Sequence, residues 1–241
     1  MNGSFFPVAG ASQSAAISGA LIAVLSAMGS LALGWCLYAA WAVWNARTPQ
    51  PSRAARTPIL FTVTAALVLV ELGLFFGMAQ PMWLRRSTAP PITPRTIVVR
   101  VVAQQYQWAF HYPGPDGQFG EARPELVTPD NPAGLDRTSP HASDDIVAPV
   151  FHVPVNRPVV AQLTSKDTIH SFGVAELRVK QDVIPGIVAT VWFTPKSIGR
   201  FDIVCSQLCG PKHDTMRGQV LVENADDYAR FLATAAGREG K

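Results

Sequence analysis

Two long apolar runs open the chain. The first extends from about Ile17 to Trp44 without a charged residue, and the second from about Pro58 to Leu84 with Glu71 as its only charge. Each exceeds the roughly 20 residues needed to cross a hydrocarbon core about 30 Å thick. Both are read as membrane-crossing helices joined in a hairpin. Trp41, Trp44 and Trp83 fall near the ends of these runs, where aromatic belts sit. A signal peptide has a shorter apolar core behind a positive segment, whereas residues 1–16 carry no charged side chain. The first run is therefore expected to be retained.

From Thr96 the pattern changes to short runs rich in β-branched and aromatic residues, punctuated by Gly, Pro and Asn. Strands are predicted at Thr96–Val102, Gln107–Tyr112, Ile146–Val153, Val159–Thr164, Ala189–Thr194, Arg200–Cys205 and Gly218–Glu223. Many short strands with turn signals between them predict an all-β sandwich or barrel. The stretch from Pro113 to Asp145, rich in Pro, Gly, Asp and Ser, reads as a long surface loop. Asn224 to Ala236 reads as a helix, with Asn224 as cap and Asp226 and Asp227 in the first turn. The expected plan is an outward N-terminal segment (1–16), a two-helix transmembrane hairpin (17–84), an all-β domain (95–223) and a C-terminal helix and tail (224–241). No internal repeat is evident.

Charge supports this division. Only 15% of the 241 residues are charged, against about 25% in soluble domains. Up to Leu84 the charged side chains are Arg47, Arg53, Arg56 and Glu71 alone. The three arginines of the connector place it in the cytoplasm by the positive-inside rule, so both termini are expected outside. Arg85 and Arg86 oppose this mildly, but a large domain is exported largely regardless of such charges. Glu71 is read as facing a partner subunit. Beyond residue 84 the basic residues are scattered among acidic ones, so a nucleic-acid footprint is excluded.

Chemistry concentrates near the C-terminus. Of the three cysteines, Cys36 lies in an apolar run and reads as a small hydrophobe. Cys205 and Cys209 are followed by His213 and Met216. Thiolates with imidazole select copper, zinc or iron–sulfur, and a Cys, His, Met order suits a copper electron-transfer site with Met as a weak ligand. A second His from a distant strand is usual there, and His170 is the best candidate. Two thiolates could bridge two metals, each capped by one His. Cys-x3-Cys alone would also fit a disulfide, or a zinc site completed by His170 and His213. The spacing of the added His and Met favours copper.

The run Cys205-Ser206-Gln207-Leu208-Cys209-Gly210-x-x-His213-x-x-Met216 resembles the binuclear copper A motif of haem–copper (cytochrome c) oxidase subunit II. The resemblance extends to the Asp167–Phe172 segment, to Val179–Gly186, to the aromatic stretch Gln104–Tyr112 and to the two-span hairpin. It implies a cupredoxin-like domain on the outer, periplasmic face of a bacterial plasma membrane. It implies partners too: cytochrome c as electron donor, and oxidase subunit I, whose haem receives the electrons, with other membrane subunits and lipid around it. By position, Cys205 and Cys209 would bridge the coppers and His170 and His213 would be terminal ligands. Met216 would be a weak ligand, and Gln207 would supply its backbone carbonyl.

The sequence departs from the family pattern at several places. Gln207 replaces the usual Glu, whose side chain also serves a magnesium site shared with subunit I; an amide is a poorer ligand for a hard cation. Tyr106 stands where the family carries the tryptophan that takes up electrons, while Trp108 is kept; both are assigned to that entrance. The carboxylate often found before the second span is missing from Arg56-Thr57-Pro58-Ile59, and no Cys-x-x-Cys-His for attached haem occurs. The reading is an electron-accepting subunit of a terminal oxidase, which reduces oxygen as a complex. The rivals are a copper A subunit of a nitric oxide reductase, a copper-free structural subunit of the quinol-oxidase type, and a copper-delivery protein.

Overall fold

In the computed structural model, residues 10–45, 53–81, 84 and 92–239 are described. Arg47, Trp83, Arg85, Arg86 and residues 1–9 lie outside these, as do the side chains of Arg53 and Arg56. Contacts divide the chain into two units, one of Ala16–Ala89 and one of Met1–Ala15 with Pro90–Lys241.

The first unit is helical. Helix α1 spans Ser12–Trp44 and α2 spans Arg53–Leu74, continuing as a π-helical turn over Phe75–Ala79. Within them, Ser14–Trp44 and Phe61–Ala79 are long and apolar enough to cross a membrane. Large apolar side chains such as Leu33, Trp35, Leu37, Phe61 and Leu69 are exposed on them. In water that surface would be a liability, whereas in hydrocarbon it is the matching surface.

The second unit is a β-sandwich. Its strands are β1 (Ile97–Gln104), β2 (Gln107–Tyr112), β3 (Ile146–Ala148), β4 (Phe151–Pro154), β5 (Val159–Ser165), β6 (His170–Val174), β7 (Val179–Val183), β8 (Ala189–Phe193), β9 (Gly199–Cys205) and β10 (Arg217–Glu223). One sheet runs β3-β2-β1-β5-β8 and the other β4-β10-β9-β6-β7. The β1–β5 and β4–β10 pairs are parallel and the rest antiparallel. Aromatic side chains from both sheets fill the space between them. Phe110 stacks on Phe151 with centroids 4.8 Å apart, and Phe151 meets Phe172 and Phe193 edge-on.

Two differences from the sequence expectation have physical causes. The single strand expected over Ile146–Val153 is two strands in opposite sheets, with the crossing at Pro149–Val150. Proline supplies no ladder donor and favours such a break. Strands β6 and β7 were not among the predicted strands. All five residues of β6, His-Ser-Phe-Gly-Val, are buried, so no polar alternation marks it. In β7 the Lys-Gln-Asp centre is polar, and Val179 and Val183 alone are buried.

The long loop 113–145 is tied down at its ends. Asp145 accepts hydrogen bonds from His111 Nε2 (2.7 Å) and from the backbone N–H groups of Gly114 and Gly120. The C-terminal helix, α3 (Ala225–Glu239), is capped by Asn224, whose Oδ1 accepts from the Asp227 N–H. It docks through Phe231, stacked 3.8 Å from the His152 ring. Residues 10–14 also belong to this unit. Gly10 N–H donates to Glu176 O, its carbonyl accepts from Lys196 N–H, and Ser14 Oγ donates to Glu176 O.

Candidate metal centre

The donors come from two neighbouring strands and one loop. Strand β9 ends at Cys205, which lies opposite Phe172 of β6, and His170 begins β6. The loop from β9 to β10 carries Gln207, Cys209, His213 and Met216. It is closed at its base by Cys205 N–H donating to Met216 O (3.3 Å) and Ser206 N–H donating to Ser171 O (2.9 Å). A short 3-10 turn, His213–Thr215, shapes its far side. Gly210 turns the chain before it at φ +140, in a region open to glycine alone.

The arrangement forms two half-sets around a sulfur pair. Cys205 Sγ and Cys209 Sγ are free thiols 3.7 Å apart. Cys205 Sγ lies 3.9 Å from His170 Nδ1 and 3.2 Å from the Gln207 carbonyl oxygen. Cys209 Sγ lies 3.6 Å from His213 Nδ1 and 3.8 Å from Met216 Sδ. Two ligands sharing a tetrahedral metal at about 2.3 Å (sulfur) and about 2.0 Å (imidazole) stand roughly 3.5 to 3.8 Å apart. The sulfur pair, Cys209 with His213 and Cys209 with Met216 fall in that range, while Cys205 lies slightly farther from His170 and closer to the Gln207 carbonyl. Their chemistry, two thiolates, two imidazoles, a thioether and a carbonyl, fits copper.

Cys205, Cys209, Met216 and His170 are buried, His213 is half-buried, and the Gln207 side chain is exposed. Burial, then the hydrogen bond and charge of Cys205, push the Cys209 thiol up to about 11. The metal-free pair thus holds a proton at neutral pH that a metal must displace.

A second layer orients these donors. Asp167 Oδ1 accepts from His170 Nε2 at 2.8 Å, which leaves Nδ1 turned toward Cys205. Burial opposes ionisation of Asp167. The hydrogen bond from His170 and those from the Gln105 and Thr168 N–H groups outweigh it and hold the carboxyl below its ordinary range. Trp108 is 4% exposed, and its ring meets His170 and Phe172 edge-on. It cannot itself touch a docked protein. Tyr106, at the β1–β2 turn, is half-exposed and lies over Gly210, where an added Cβ would fall 2.7 Å from its hydroxyl.

The fold brings together the six residues that sequence reasoning named as candidate ligands, but that reasoning gave no role to Asp167 or Gln105. A carboxylate three residues before a candidate ligand His is the signal for the first, since such histidines usually donate their other N–H to one. Nothing local marks Gln105.

Comparison with known proteins gives a consistent picture. Residues 97–224 match the family described as cytochrome c oxidase subunit II, periplasmic domain. The chain is 41% identical over 148 residues to the alternative cytochrome c oxidase subunit 2 of Bradyrhizobium diazoefficiens, covering 59% of this chain and 53% of that protein. The match thus spans about half the length of that relative. It is 29% identical over 239 residues to cytochrome c oxidase subunit 2 of Cereibacter sphaeroides, covering 92% of this chain and 75% of that one. The solved periplasmic domain of subunit II of cytochrome oxidase from Bradyrhizobium japonicum aligns at a TM-score of 0.47 with 26% identity, covering 62% of this chain and 99% of that one.

Proposed function

We propose a function from the premise that this chain belongs to the cytochrome c oxidase subunit II family: it accepts electrons from cytochrome c at a binuclear copper centre and passes them to haem in subunit I, where oxygen is reduced. The observation that carries the reading is the pair of half-sets, with each thiol sulfur facing its own imidazole across a shared 3.7 Å sulfur pair. A bound copper pair would supply one-electron chemistry shared between two ions. Cys205 and Cys209 would bridge them, His170 and His213 would cap them, and Met216 and the Gln207 carbonyl would be weak ligands.

The chain's own part is to hold these groups still. The donors are anchored on β6 and β9 and on a loop pinned to both, so a change of charge at the centre meets a framework that resists movement. Burial of both sulfurs keeps water and competing ligands away. Tyr106, half-exposed beside the Cys209–Gly210 backbone, is the surface group through which electrons would arrive, with Trp108 packed behind it against His170. The exposed Gln207 side chain offers an amide where a magnesium ion shared with subunit I would want a carboxylate, so no step is assigned to that ion.

The two apolar helices support membrane anchoring, and the family match supports a periplasmic position for the β-domain. The test is purification of the complex through this chain, followed by haem analysis and gas-uptake assays with reduced cytochrome c. The reading predicts co-purified haem and oxygen consumption. Turnover of nitric oxide instead would identify the complex as a nitric oxide reductase, and a haem-free preparation would refute the assignment.

A further inference from the structure

Gln105 occupies the two-residue turn between β1 and β2, on the sheet opposite the one that carries the ligand strands. It has two donor groups, and both are used on the metal centre's supports. Its backbone N–H donates to Asp167 Oδ2 at 2.6 Å, while Asp167 Oδ1 holds His170 Nε2 at 2.8 Å. Its side-chain Nε2 donates to the Cys209 carbonyl at 2.6 Å. The turn is seated against the ligand loop. A Cβ on Gly210 would fall 2.9 Å from Gln105 Nε2 and 2.7 Å from the Tyr106 hydroxyl, so both side chains lie directly against the loop backbone.

We propose that Gln105 is a positioning residue that ties the His170 segment to the Cys209 loop, fixing the two halves of the copper centre relative to each other. The inference rests on the copper reading above. The physical case is one of connectivity. Cys205 and His170 are joined by the β6–β9 pairing, but Cys209 lies in the loop beyond β9, outside that ladder. Gln105 connects the two, its side-chain amide holding the backbone of that second sulfur and its backbone N–H holding the carboxylate that aims the first imidazole. The turn residue thus acts through Cys209 and Asp167 and does not itself touch the metals. Loss of such supporting hydrogen bonds costs metal sites about ten- to a hundredfold in affinity.

The test uses the full-length chain in detergent, loaded with copper. Gln105→Glu keeps the shape and the backbone N–H but replaces the side-chain donor with an acceptor, and Gln105→Ala removes the side chain. Gln107→Ala, an exposed residue of the same hairpin, is the control. Three quantities are read: the copper hyperfine pattern, the reduction potential and the rate of copper loss to a chelator. Both Gln105 variants are expected to lose copper about tenfold faster and to shift the hyperfine pattern and potential. Parent values in both Gln105 variants would overturn the proposal. So would an equal change in Gln107→Ala, because the effect would then belong to hairpin stability. A parent chain without a binuclear copper signal would refute the copper reading itself, and that result precedes any variant.

Discussion

At the scale of single residues, the candidate ligands were legible because four of the side-chain candidates lie within twelve consecutive positions, where spacing alone carries meaning. Their supports were not legible, since Gln105 meets Cys209 across 104 positions of sequence. Gly210 shows how tightly that support is fitted. Its φ of +140 strains any side chain there, and an added methyl group would also have to displace the Tyr106 hydroxyl, 2.7 Å away. Gly210→Ala is expected to destabilise the copper-free chain by about 1–3 kcal/mol, the range for a residue held in a glycine-only conformation. Urea denaturation measures it, and an unchanged midpoint would contradict the fit described here. Lys166 makes a separate prediction. Burial lowers its ammonium to about 8, and its Nζ donates to Pro132 O. In the unfolded chain it titrates near about 10.4. Between these values the unfolded state binds the extra proton, so this group adds stability as pH rises through that window. Wild type should therefore gain stability on Lys166→Met between pH about 8 and about 10.4, and a constant difference would exclude the shift.

At the scale of elements, hydropathy found the two apolar helices and most strands, because alternation and length are local properties. It missed β6 and β7, where burial on both faces or a polar centre erases the pattern. It also joined β3 and β4 across Pro149, since apolar content does not reveal a change of sheet. The loop 113–145 is fastened by a buried hydrogen-bonded pair. His111 and Asp145 are almost fully inaccessible, and burial lowers the imidazole pKa against the opposing pull of Asp145. Leaving a buried donor without its acceptor typically costs about 1–3 kcal/mol. Asp145→Ala would orphan the His111 ring and the N–H groups of Gly114 and Gly120, and a loss of that size is expected in thermal or urea unfolding. A loss below about 0.5 kcal/mol would mean that the loop is held elsewhere.

At the scale of the whole molecule, two apolar helices and a β-sandwich would, on the proposed function, divide the labour of anchoring and chemistry. The sandwich brings His170 beside Cys205 through the β6–β9 pairing, although 35 positions separate them in sequence. That closure converts a suggestive motif into two facing half-sets with separations suited to soft metals. On the proposed function these sets hold two coppers as one electronic unit. The most direct measurement is copper and zinc quantification per chain together with electron spin resonance of the oxidised, full-length protein. Two coppers per chain are predicted, with one unpaired electron shared over both nuclei and lost as a shared signal in Cys205→Ala. One copper per chain with a single-nucleus pattern, or zinc alone, would contradict the account.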